Sequence, residues 1–511
     1  MLVVARTETA LSRLLDVVSL LRQDRRIQIV FSTNPANPAV FRAGLDEHLA
    51  ALGAQVIPWA RATGTRLDLA LSASENDDLA ELDAPIVLFS HGLGHQKYYP
   101  GSDVIAGLNP AKLPRDGAVL ALSHHEQRAQ LPPEVAAHAV VVGDPTLDRL
   151  LAGRFRVEGY RGALDATGRT LVVLSSTWGP ESLLAKHPDL PERIVGALPV
   201  DEFRVALLLH SGIWSGHGQW QVRAWLQRAV ELGLLLVEPA GDWHAVLTAA
   251  HCLISDEGSL ALYAAALDVP ILLIEDTGAK TVTGSPLADL AKLAPRFDPD
   301  GDPAAQLAAA IDGHEPGRWA PVVARAVEQP SAEVLRPLLY RLLELSEPDD
   351  APIMRPVDVP APMPRRVASM VVGAVEDGLE VGLRRSTVAP ELPLPHQHLV
   401  ADVDLAPYRE LTAASVLLVG GPRSRFSERA DALLAQWPRA QLVAQCVDEA
   451  TVWLADRHGV SVLWALRPPP GFDPALLASV AFVRRAQGRA VAGTDRLRVG
   501  RHVTGIRSRA S

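Results

Sequence analysis

Two cysteines in 511 residues, Cys252 and Cys446, exclude a disulfide framework and a cysteine-built zinc site. That scarcity suits a reducing compartment, and a cytoplasmic location is expected. No apolar run reaches the ~20 residues that a bilayer-spanning helix needs. The N-terminal stretch MLVVARTETALSRLLDVVSLLRQDRR is amphipathic, but it lacks a long apolar core and a small-residue cleavage site, so it does not read as a secretory signal. Positive charge is also short. Lys+Arg 49 against Asp+Glu 59 gives a net charge of −10, which argues against a nucleic-acid partner. The clearest local exception is RLRVGRHVTGIRSRAS, Arg496 to Ser511, which reads as a frayed cationic terminus. Three chemical signatures are missing as well: GxxxxGK[ST], GxGxxG after a strand, and HExxH. Their absence leaves a P-loop, a dinucleotide fingerprint and a helical zinc site unsupported.

What is present is an ordinary globular balance, 48% hydrophobic and 21% charged, in a chain long enough for two or three domains. Short, unbroken apolar runs alternate with helical segments. RIQIVFS, QVIPW, LDLALSA, PIVLFS, AVLALS and AVVVG read as strands of a first parallel sheet, buried on both faces, within residues 1–160. RTLVVLSS, FRVALLLH, LGLLLVEP, HCLISDEG and PILLIED read as strands of a second within 161–347. The stretch 348–366 holds six prolines and no periodicity, so it reads as a linker. Residues 367–511 read as a smaller α/β domain, with strands in SVLLVGG and AQLVAQC and helices in FSERADALLAQWP and DEATVWLADRHG.

Open α/β sheets bind ligands beyond the carboxyl ends of their strands, so polar residues there are the candidates. In VLFSHGLGHQKYYPG, His91 follows a strand directly and suits proton abstraction from a hydroxyl near neutral pH. Gly92 allows close ligand approach, and Lys97 suits a phosphate or an acceptor. SHHEQ, Ser123 to Gln127, offers two adjacent histidines, but neighbours rarely ligate one ion without a more distant partner, so no metal is expected. In VVGDPTLD, Asp148 reads as a helix-terminus residue. LSSTWG places Ser175, Ser176 and Thr177 at the end of the second domain's first strand, and His210 ends the next. In HCLISDEGSLALYAAALDVPIL, a strand stops at Ser255, Asp256, Glu257, Gly258 and Ser259, and a small-residue helix starts at once. A strand, a Gly/Ser turn and a helix N-terminus make a natural diphosphate cradle, because free N–H groups and the helix dipole face the anion.

In order and strand-end placement these motifs resemble the GT-B transferases, most closely the CDP-glycerol glycerophosphotransferase (teichoic-acid polymerase) family. More distantly they are similar to the UDP-N-acetylglucosamine 2-epimerases. SHGLGHQK resembles the family's WHG-x-x-x-K, with one extra residue before Lys97. VVGDPTLD resembles G-x-P-x-x-D, LSSTWG resembles A-P-T-W-R, and the LISDEGS region resembles L-I-T-D-Y-S-S. The chain departs at Gly179, His251 and Glu257, where the family has Arg, Asp and Tyr. The resemblance covers about residues 26–345. It implies two Rossmann-like domains facing across a cleft, a donor diphosphate at Ser255–Ser259, a base at His91 and a histidine role at His210. The expected activity is transfer of a glycosyl or polyol-phosphate group from a nucleotide-diphosphate co-substrate to a hydroxyl acceptor, with no other cofactor. A nucleotide-sugar epimerase or hydrolase, or an inactive nucleotide-binding scaffold, are the alternatives. Membrane contact is at most peripheral, through the first helix or the basic tail, and a homodimer is compatible with the sequence.

Overall fold

The computed structural model describes all residues except 38, 40–43, 91, 100–101, 109–117, 240, 275–280, 365–366, 390–394, 490, 492–494 and 511. Six strands form the first sheet: β1 (Leu2–Val4), β2 (Val30–Ser32), β3 (Ala70–Ser72), β4 (Ile86–Phe89), β5 (Ala118–Leu122) and β6 (Ala139–Val141). They run parallel in the order β2-β1-β3-β4-β5-β6. The second sheet contains β7 (Thr170–Ser176), β8 (Phe203–Leu209), β9 (Leu235–Val237), β10 (Cys252–Ser255), β11 (Ile271–Ile274) and β12 (Arg296–Phe297). Its order is β12-β11-β10-β7-β8-β9, again all parallel. These are the two Rossmann-like sheets that the apolar runs predict. Their central strands are buried on both faces between helices, which explains runs without alternation.

The amphipathic N-terminus corrects the reading of where the first sheet begins. Leu2–Val4 is its second strand, between β2 and β3, and Glu8–Val18 is an interior helix. That helix buries Leu11, Leu14 and Val17 and also Arg13 and Asp16, so no apolar face is left for a bilayer. Its polar face binds the domains together. The Arg13 guanidinium lies 2.8 Å from Asp144, and the Tyr263 hydroxyl donates to Asp144 at 3.1 Å. Burial alone would raise the Asp16 carboxyl. His244, Arg149 and Thr146 around it instead pull it down to about 2.

The chain crosses between the domains twice. Helix Pro145–Ala152 packs Leu147 and Leu150 into the core of the second domain, whereas helix Ala332–Leu342 returns to the first through Leu335, Leu338 and Leu339. Asp148 fastens the return, accepting from Ser331 N–H (2.9 Å), Ser331 Oγ (2.6 Å) and Ala332 N–H (3.0 Å). It supports a helix N-terminus, as its sequence context suggests, but that of a helix 183 residues away.

Residues 348–364 have no regular secondary structure, yet they are fixed as a strap. Arg149 and Arg156 donate to the carbonyls of Arg355 and Val357, and the Tyr160 hydroxyl donates to Val357 at 2.6 Å. The remaining strands are β13 (Ser369–Asp377), β14 (Glu380–Ser386), β15 (His398–Asp402), β16 (Val416–Leu418), β17 (Leu442–Cys446), β18 (Thr451–Asp456), β19 (Gly459–Leu466), β20 (Arg496–Val499) and β21 (His502–Ala510). They close a mixed barrel. DEATVWLADRHG is therefore not a helix but β18 and the turn into β19. Alternating burial of Val452 and Leu454 against the barrel core decides it, over an apolar spacing that also fits a helix turn. Helix Leu476–Ala486 is buried along consecutive residues and packs into that same core. The basic C-terminus is not frayed: it is β20 and β21, which complete the barrel.

Candidate active site

The carboxyl end of β4 leads into Ser90–Lys97, and the carboxyl end of β10 leads into Asp256–Ser259. The fold brings these two segments together across the domain boundary. A Cβ built on Gly92 would lie 3.3 Å from Ser259 Oγ, so a side chain there would crowd the approach. Gln96, which sequence reasoning missed, makes the docking contacts. Its carbonyl accepts from Val282 N–H at 2.8 Å, and its Oε1 accepts from Leu287 N–H at 3.2 Å. Lys97 pairs with Thr281 in a single antiparallel bridge. No local pattern marks Gln96, because its partners are nearly two hundred residues away.

Lys97 is half-buried. Burial lowers its ammonium pKa from the ordinary lysine value, and the nearby Asp256 and Glu257 carboxylates oppose that shift. Burial also raises the Asp256 carboxyl, against hydrogen bonds from Leu183 and Thr177 and the attraction of Lys97. Asp256 accepts from Thr177 N–H (2.8 Å), Thr177 Oγ1 (2.8 Å) and Leu183 N–H (2.9 Å), so it organises the turn after β7. Glu257 is buried and accepts from the Thr281 hydroxyl at 2.7 Å.

The serine hydroxyls divide into two groups. Ser175, Ser176 and Ser255 are buried; Ser176 Oγ donates to the Thr177 carbonyl, and Ser255 Oγ donates to the Asp256 carbonyl. Ser259 is exposed and opens helix Ser259–Ala266. The N-cap of that helix is Gly258, whose backbone is extended and which offers no side-chain cap. A Cβ at Gly258 would meet Thr177 Cγ2 at 2.9 Å, so glycine is required for packing here and not for a left-handed turn. With no capping side chain and no acidic residue in the first turn, the N–H groups of this helix keep their attraction for an anion.

His210 ends β8 and caps helix Ser211–His217, its Nδ1 accepting the Gly212 N–H at 2.9 Å. The neutral ring therefore carries its proton on Nε2, and it acts as a hydrogen-bond donor. Trp178 stands nearby, with ring centroids 6.3 Å apart. His91 lies outside the described residues.

Two features lie elsewhere. A cavity of about 1210 Å³ sits under the strap, beside helix Glu8–Val18 and Trp243–His244, and not at the paired strand ends. His124, His125 and Glu328 form a cluster that the sequence could not assemble. His124 Nδ1 accepts the Glu126 N–H, and its Nε2 lies 4.0 Å from Glu328 Oε1. Glu328 Oε1 also meets the His125 N–H (3.1 Å) and His125 Nδ1 (2.8 Å), so the cluster is a hydrogen-bonded junction between the two domains.

No family model and no curated protein matches the chain. Among solved structures it is similar to the wall teichoic acid polymerase TagF, at 12% identity over 67% of this chain and 89% of that one, with a TM-score of 0.47. It is similar to a UDP-N-acetylglucosamine 2-epimerase at 16% identity, over 68% and 98%, with a TM-score of 0.42. It is also similar to S. aureus MnaA, solved with UDP, at 13% identity, over 68% and 98%, with a TM-score of 0.41. These are the two families that the sequence motifs resemble. At such distances residue roles do not transfer.

Proposed function

We propose that the chain is a transferase that moves a glycosyl or polyol-phosphate group from a nucleoside-diphosphate donor to a hydroxyl acceptor. The observation that supports this most is the convergence of Lys97 on the Asp256–Ser259 turn across the domain boundary, opposite an uncapped helix start. The first-turn N–H groups of helix Ser259–Ala266 and the Ser259 hydroxyl hold the diphosphate. Lys97 supplies the opposing charge. The acceptor oxygen attacks the transferred group as His91 takes its proton. The bond to the departing nucleotide phosphate breaks, and that phosphate keeps the electron pair. Lys97, the helix N–H groups and the Nε2–H of His210 stabilise the charge that develops there.

A second reading has its own support. The charge of Lys97 already faces Asp256 and Glu257, and three of the turn hydroxyls point inward. A site balanced in this way suits a scaffold that binds nucleotide without turnover. Thermal shift with CDP, UDP, GDP, ADP and their sugar or glycerol conjugates tests both readings. A ligand at a hundred times its Kd stabilises the native state by about 2.7 kcal/mol. One nucleotide diphosphate should stabilise the wild type, and Ser259→Ala and Lys97→Met should weaken the effect. Group transfer that requires an added acceptor identifies the transferase. Turnover without acceptor identifies an epimerase or hydrolase, and binding without turnover the scaffold. No stabilisation by any of them refutes the nucleotide site.

A further inference from the structure

The barrel meets the second domain through the end of β14, where Arg385 pairs with Asp201, and through the β20–β21 turn, where Gly500 lies against Glu202. Helices Tyr408–Ala413 and Phe426–Gln436 pack on the outer face of β15–β18 through Leu411, Phe426, Ala430 and Leu433. The outer face of β13, β14, β20, β21 and β19 carries exposed Arg384, Arg496, Arg498, Arg507 and Arg509. The register places them on one surface. Arg496 pairs with Gly505 and Arg498 with Val503, while Arg507 stands opposite Trp464 and Arg509 opposite Val462. Successive residues of a strand point to opposite faces, so Leu497, Thr504 and Ile506 turn into the barrel and the arginines turn out. Of the five, Arg498 pairs with Glu380, and among the described residues no ion pair holds the others. Among the described residues Asp377 is the other carboxylate on this face.

The charge runs against the rest of the molecule. Residues 367–511 hold 17 arginines and no lysine against 14 carboxylates, in a chain whose net charge is −10. Interleaved with the arginines are exposed aliphatic side chains: Val375 (58%), Leu379 (48%), Val503 (49%) and Leu466 (38%). They are separated by arginines, so they form no contiguous apolar core of the kind a stable protein interface needs. Among the described residues Trp464 is the aromatic ring on this face, half-buried opposite Arg507, and a single ring gives a run of nucleic-acid bases no stacking platform. Arginines at headgroup level with shallow aliphatic insertion match an anionic bilayer surface.

We propose that this bare face of the barrel docks the protein on membranes rich in anionic phospholipid. The test is co-sedimentation of the full chain with phosphatidylglycerol/phosphatidylcholine vesicles, against pure phosphatidylcholine vesicles and a polyuridylate oligonucleotide. The wild type should bind the anionic vesicles and release as salt rises. Each arginine near such a surface contributes about fivefold in affinity, so loss of two weakens binding about thirtyfold. Arg507→Glu with Arg509→Glu should therefore reduce binding by at least that factor. Arg439→Glu, an exposed charge outside this face, should change it little. Circular dichroism of the double variant checks that the barrel remains folded. Absence of binding to anionic vesicles, equal binding by the double variant, or tighter binding to the oligonucleotide would each overturn the proposal.

Discussion

His398 makes the barrel acid-sensitive in a way that can be worked out in advance. It is buried between the carbonyl of His396, 2.9 Å from Nδ1, and the hydroxyl of Ser479, 2.9 Å from Nε2, with the Phe482 ring beside it at 4.2 Å. A carbonyl only accepts, so Nδ1 carries the proton and Nε2 accepts from Ser479. Burial drives the pKa down from 6.5 to about 4, chiefly by desolvation of the charged ring. Because the folded value lies below the unfolded one, the unfolded chain binds the extra proton between pH 6.5 and 4. Stability is full above 6.5 and falls as pH drops through that window. The full shift corresponds to about 3 kcal/mol, of which about 2 kcal/mol is lost between pH 7 and pH 5. Hydrogen exchange read by mass spectrometry resolves this locally. After correction for the intrinsic exchange rate, peptides from β15 and helix Leu476–Ala486 should lose that much protection at pH 5. His398→Gln keeps a polar side chain but cannot titrate, so its barrel peptides should show a flat profile across the window. An unchanged β15 at pH 5, or a variant with the same pH dependence as the wild type, would refute the reasoning.

Two further predictions concern the supports of the fold. Asp148→Ala removes three hydrogen bonds to the start of helix Ala332–Leu342, and should cost about 3 kcal/mol in urea unfolding, with exchange rising first in that helix. Asp495→Ala leaves the fully buried Arg484 with Glu376 as its carboxylate partner among the described residues, and should cost about 3 kcal/mol, measured as loss of protection in the barrel.

The sequence by itself determined the two parallel sheets. Runs such as LVVLSS and VALLLH are apolar on both strand faces, and only burial between helix layers satisfies them. It also determined which residues end those strands, and therefore that Lys97, Thr177, His210 and Ser259 belong to carboxyl edges. Local pattern could not go further where a segment's partners are distant in the chain. DEATVWLADRHG fits helix and strand spacing alike until the barrel core selects alternation. The arginine-rich tail has no apolar run to announce a strand, and it becomes two because β14 and β19 offer open edges. Leu2–Val4 is too short to read as a strand, yet it lies between β2 and β3. Tertiary structure alone decided that Gln96 docks on Val282 and Leu287, that Asp256 is consumed by the turn after β7, and that Asp148 caps a helix from the far end of the second domain. Each of these is a hydrogen bond between segments tens to hundreds of residues apart. Its free energy depends on desolvated geometry that no local spacing encodes.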